Sequence, residues 1–89
     1  MAQAMYMRRR FAHDGRSLEV RAAYYARMWH LGVFENGAPL TGEVARLTDH
    51  DVEFARRKQG VDLIEDSMQE LQQSVERGRL RLPPGFAWS

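Results

Sequence analysis

The chain has 89 residues, 44% of them hydrophobic and 28% charged, with no cysteine and a net charge of +1. That length holds one domain with a small core. The missing cysteine excludes a disulfide framework, a thiolate nucleophile and cysteine-bound zinc, and no run approaches the roughly 18 apolar residues of a membrane span.

The N-terminus has a short apolar stretch before Arg8, Arg9 and Arg10, and no longer apolar run follows. A secretory signal is therefore not expected, and a cytoplasmic protein is. Residues 4–12 predict a first strand, and His13-Asp14-Gly15-Arg16 predicts a turn. Residues 17–25 alternate Leu18, Val20, Ala22 and Tyr24 against Glu19, Arg21 and Ala23, the period of a strand. Residues 27–35 alternate Trp29, Leu31 and Val33 against Met28, His30 and Gly32. Asn36-Gly37 is the strongest hairpin signal in the chain, and a return strand over 38–42 follows, held to an edge by Pro39. Leu18, Ala22, Tyr25 and Trp29 also lie at helical spacing, with Ser17 and Gly32 as caps. The aromatic residues and the Asn-Gly turn favour strands over 17–31.

The second half carries a heptad rhythm: Leu47, Phe54, Val61, Met68 and Val75, with Ile64 and Leu71 between them. This predicts an amphipathic helix over 49–77, capped at Thr48 or Asp49 and closed at Gly78. The heptad phase runs through Gly60, so one helix with a kink at Gly60 is expected. It would span roughly 43 Å at about 1.5 Å per residue. A domain of this size is only ~30 Å across, so the helix would outrun it and meet a partner, with a homodimer the commonest arrangement. Arg79-Leu80-Arg81-Leu82 alternates like a short edge strand, Pro83-Pro84 ends it, and a tail over 83–89 carries Phe86 and Trp88. The expected fold is α+β: an antiparallel meander of three or four strands over 4–42, packed on one long helix through Phe54, Val61, Ile64, Met68, Leu71 and Val75, in a single domain over 1–89.

Charge is segregated along the chain. Residues 1–30 hold six arginines against Asp14 and Glu19, while residues 43–78 hold nine acids against five bases. On a strand, Arg8 and Arg10 share one face and Arg9 takes the other. With Arg21 and Arg27 they outline a basic sheet face where exposed tyrosines would stack bases. The alternative is that this half attracts the acidic half within one chain. Arg56-Arg57-Lys58 before Gly60 loosely suggests helix-turn-helix, but the following segment carries Asp62, Glu65, Asp66 and Glu70, which phosphate would repel.

His13, His30 and His50 are the only histidines. Asp49, His50 and Asp51 diverge on a helix and do not converge on a metal. No Gly-x-Ser-x-Gly, dinucleotide or phosphate-loop motif occurs. No catalytic, cofactor-binding or metal-ligating set is expected, and an enzyme would require His13 or His30 to face a carboxylate across a pocket. The expected function is a small non-enzymatic binding or regulatory module that acts through protein–protein contacts and self-associates. The alternative is a nucleic-acid-binding module using Arg8, Arg10, Arg21 and Arg27. No membrane partner is expected.

Overall fold

The computed structural model describes residues 5–80 and residue 82. Five strands form one antiparallel sheet: β1 (Tyr6–His13), β2 (Arg16–Tyr25), β3 (Met28–Glu35), β4 (Ala38–Pro39) and β5 (Ala45–Thr48). β1, β2 and β3 lie side by side in chain order. The far edge of β3 is shared, with β4 pairing its C-terminal end and β5 its N-terminal half. Three two-residue turns join β1 to β4, and both residues of each turn have positive φ: Asp14-Gly15, Ala26-Arg27 and Asn36-Gly37. That is the geometry whose twist matches a hairpin.

The registers place alternate residues on opposite faces. Met7, Ala22 and Leu31 align across the three strands on one face, as do Phe11 and Leu18, and Val20 and Val33. Leu18, Val20, Ala22, Leu31 and Val33 are buried beneath the helices. Burying a Val or Leu side chain stabilises by about 1.5–3 kcal/mol, so this face supplies most of the core. The strand assignment over 17–31 therefore holds against the helical alternative. The return strand shrinks to Ala38–Pro39, and β5, which includes the heptad residue Leu47, is an additional strand.

The expected single helix is two. Helix α1 (Asp49–Phe54) starts at Thr48, whose side chain accepts from the Asp51 amide while the Asp51 side chain accepts from the Thr48 amide, a reciprocal capping box. The backbone then widens into a π-helical turn, Ala55–Gln59, and stops at Gly60 in the left-handed conformation, φ 66°. Glycine reaches that conformation without a Cβ clash. Asp62 accepts from the Glu65 amide and opens helix α2 (Leu63–Glu76). The close of α2 is as expected: the Arg79 amide reaches the Ser74 carbonyl at 2.8 Å and the Gly78 amide the Val75 carbonyl at 3.1 Å, a Schellman motif.

The break redistributes the heptad stripe. Ile64, Met68 and Val75 are buried on the sheet and Leu71 is half-buried beside them. Val61 is half-buried in the turn between the helices, and Phe54 is 49% exposed. Phe54 is therefore not a core residue; it sits on α1, which takes its own direction from the cap at Thr48. The expected helix of 49–77 is thereby corrected: the longest helix among the described residues is α2, with 14 residues. Arg79 and Leu80 form a bend, and Leu80 and Leu82 pack on the cluster of Leu18, Val33 and Val75. The tail over 83–89, with Phe86 and Trp88, lies outside the described residues. Among the described residues, no helix is long and apolar enough to cross a membrane.

Candidate binding site on the open sheet face

The helices cover one face of the sheet. The other face carries Tyr6, Arg8 and Arg10 from β1, Glu19, Arg21, Ala23 and Tyr25 from β2, and His30, Gly32 and Phe34 from β3. The register aligns Arg8, Arg21 and Gly32 in one row and Tyr6, Ala23 and His30 in the next. Arg9, on the opposite face, reaches the helix as its parity requires: its Nε donates to Gln72 Oε1 at 2.7 Å, and its guanidinium lies 3.7 Å from Glu65. Thus one arginine of the run meets the acidic helix and two do not. Arg27 is not on the face at all; it sits exposed in the β2–β3 turn.

Glu19 is the centre of the arginine cluster. Arg21 Nε donates to its Oε1 at 2.8 Å, Arg10 Nε to its Oε2 at 3.1 Å, and Arg8 lies 3.7 Å away. These contacts, the Arg21 hydrogen bond foremost, hold the Glu19 carboxyl below its ordinary value. Three guanidinium groups share one carboxylate, so the cluster keeps an excess of positive charge. Arg8 and Arg10 remain 48% and 71% exposed, and Arg21 lies over the Phe34 ring, 4.3 Å from its centroid, a cation–π contact.

Beside the cluster lies a hollow of about 250 Å³, walled by Tyr6, Arg21, Tyr25, His30, Phe34 and Glu43. Gly32 is its floor. The loop between β4 and β5 passes so close that a Cβ at Gly32 would stand 3.1 Å from the Gly42 carbonyl oxygen. Thr41 fastens that loop: its Oγ1 accepts from the Val33 amide at 3.1 Å and donates to the Gly42 carbonyl at 2.8 Å. The side chain thus takes the place of a ladder partner where β4 has ended.

His30 meets a carboxylate at the rim of this hollow. Its Nδ1 lies 2.6 Å from Glu43 Oε2, and its Nε2 lies 3.1 Å from the Tyr25 carbonyl. A carbonyl only accepts, so the Tyr25 contact is made by the Nε2 proton, and both ring nitrogens have a protein partner. Tyr25, 58% exposed, stacks on the His30 ring at 3.8 Å between centroids. Arg46 Nε also binds Glu43 Oε2, at 2.8 Å. Tyr24 points the other way, toward α1, and its hydroxyl donates to Asp49 at 2.8 Å, which raises its pKa.

His13 lies 3.5 Å from its neighbour Asp14 in the first turn, and His50 is exposed on α1. Among the described residues no group of three or more histidine or acidic side chains is placed to hold a metal ion. The residues that the sequence pattern did not select are Tyr6, Phe34, Glu43 and Arg46. Glu43 and Arg46 come from a loop and a four-residue strand whose position is set only by pairing with β3.

Compared with known proteins, the chain matches no family model, no curated protein and no solved structure.

Proposed function

We propose that the protein is a small non-enzymatic binding module that holds single-stranded nucleic acid on the open face of its sheet. The carrying observation is the placement of Arg8, Arg10 and Arg21 on the same face as the exposed rings of Tyr6 and Tyr25. Guanidinium groups neutralise phosphates, and aromatic faces stack unpaired bases without regard to sequence. The acids Asp62, Glu65, Asp66 and Glu70 sit on the first turns of α2, whose apolar stripe packs on the opposite face of the sheet. A polyanion is thereby directed to one side. His30 and Glu43 form the histidine–carboxylate pairing that an enzyme would require; against it, Thr41 Oγ1 is engaged twice and offers no free hydroxyl beside them, which supports binding over catalysis.

The test is fluorescence anisotropy with a labelled single-stranded oligonucleotide across a salt series. Arg8→Glu with Arg10→Glu is expected to abolish binding, and affinity is expected to fall steeply with salt. A flat salt response, or full affinity in the double variant, refutes the reading.

A second reading has its own support. Tyr6 and Tyr25 are 45% and 58% exposed, and tyrosine and arginine are enriched where proteins meet proteins. Contact with another protein, or with a second copy, through this same face is the alternative occupant.

A further inference from the structure

Building on the nucleic-acid reading, we infer that the hollow over Gly32 takes one unstacked nucleobase and selects guanine. Three features carry this. The hollow is about 250 Å³ and opens on the same face as the arginine cluster. Its two ends are planar groups: the Tyr25–His30 stack at one end and the Arg21–Phe34 pair at the other. His30 and Phe34 are four residues apart on β3, hence roughly 13 Å at about 3.3 Å per residue, and the residue between them on that face, Gly32, contributes no side chain. The Gly42 carbonyl of the covering loop occupies the space directly over Gly32, so a flat ring entering beside it stacks on one end of the hollow and is not clasped by both.

The third feature is the acceptor at the rim. His30 Nδ1 and Arg46 Nε both fall on Oε2 of Glu43. Oε1 takes no hydrogen bond from the described residues and is the oxygen offered to a ligand. A carboxylate oxygen accepts and does not donate, so it favours a base edge that presents N–H groups side by side. Guanine does so with its ring N–H and amino group. Cytosine and adenine place a ring nitrogen lone pair beside their amino group, and uracil flanks its single N–H with carbonyls. The backbone leaving the base passes toward Arg8 and Arg21, which lie in the row next to His30 and meet the adjoining phosphates.

The experiment compares four otherwise identical short single-stranded oligonucleotides that differ in one central base, G, A, C or U, in an otherwise uracil sequence. Binding is measured for the full chain and for Glu43→Gln. The expected result is a preference of about tenfold for the guanine oligomer, the scale of one well-made base contact, and loss of that preference in Glu43→Gln, whose four oligomers then bind alike. Tyr25→Ala, at an exposed position, is expected to weaken all four alike. Equal affinity for the four oligomers overturns base selection while leaving the basic face as a binder. A preference that survives in Glu43→Gln overturns the role of Glu43. If no oligomer binds at all, both the hollow as a base site and the nucleic-acid reading fail.

Discussion

At the scale of single residues, Glu19 decides how much of the basic face is available. It is 14% exposed and shared among three arginines, and their hydrogen bonds, led by Arg21, depress its pKa. A carboxyl whose folded-state pKa is depressed stabilises the fold above its unfolded value, about 4.5 here, and loses that contribution as pH falls through the lower folded value. Glu19→Gln should therefore flatten the decline in stability below about pH 4.5, measured by urea unfolding across an acid pH series. The same change removes the one negative charge inside the cluster. Under the nucleic-acid reading it should tighten binding at low salt and steepen the salt dependence. Weaker binding would mean that Glu19 is needed to orient the arginines.

At the scale of elements, the three hairpin turns differ in how well their residues suit them. Asp14-Gly15 and Asn36-Gly37 are the residue types that left-handed turns favour, whereas Ala26 and Arg27 hold φ values of 53° and 64° with full side chains. Left-handed backbone costs an ordinary L-residue roughly 1–2 kcal/mol. Replacing the pair with Asn-Gly, Ala26→Asn with Arg27→Gly, should raise stability by about 1 kcal/mol with an unchanged denaturant slope. A loss of stability would show instead that Arg27 makes contacts that hold the turn. The break at Gly60 follows the same physics. A heptad count registers side chains alone and passes through glycine unchanged, but the backbone stops there, and Asp62 begins a new helix with its own cap.

At the scale of the whole molecule, charge is divided between the two layers. Arg9 is the arginine of the run that bridges them, while Arg8, Arg10 and Arg21 crowd the open face. Two copies meeting face to face through that surface would bring like charges together. The free protein should therefore scatter light as a monomer at low salt across a concentration series. A dimer that persists at low salt would favour the protein-contact reading, with Tyr6 and Tyr25 as the first residues to substitute.

The three N-terminal strands, the Asn-Gly hairpin, the cap at Thr48 and the close at Gly78 were legible in the sequence alone. Each depends on neighbours along the chain: side-chain alternation, a turn pair, a hydroxyl three residues from an amide. The parity of Arg8, Arg9 and Arg10 was legible for the same reason. What only the tertiary structure decided is what depends on contacts between distant segments. β5 is four residues long and exists through its pairing with β3. Phe54 is exposed because α1 and α2 are separate bodies, and Arg27 left the candidate face because a turn took it. The hollow joins Arg21, His30 and Phe34 of two strands to Glu43 of a loop anchored by Thr41. No periodicity links those positions, because they are brought together by register across the sheet and not by spacing along the chain.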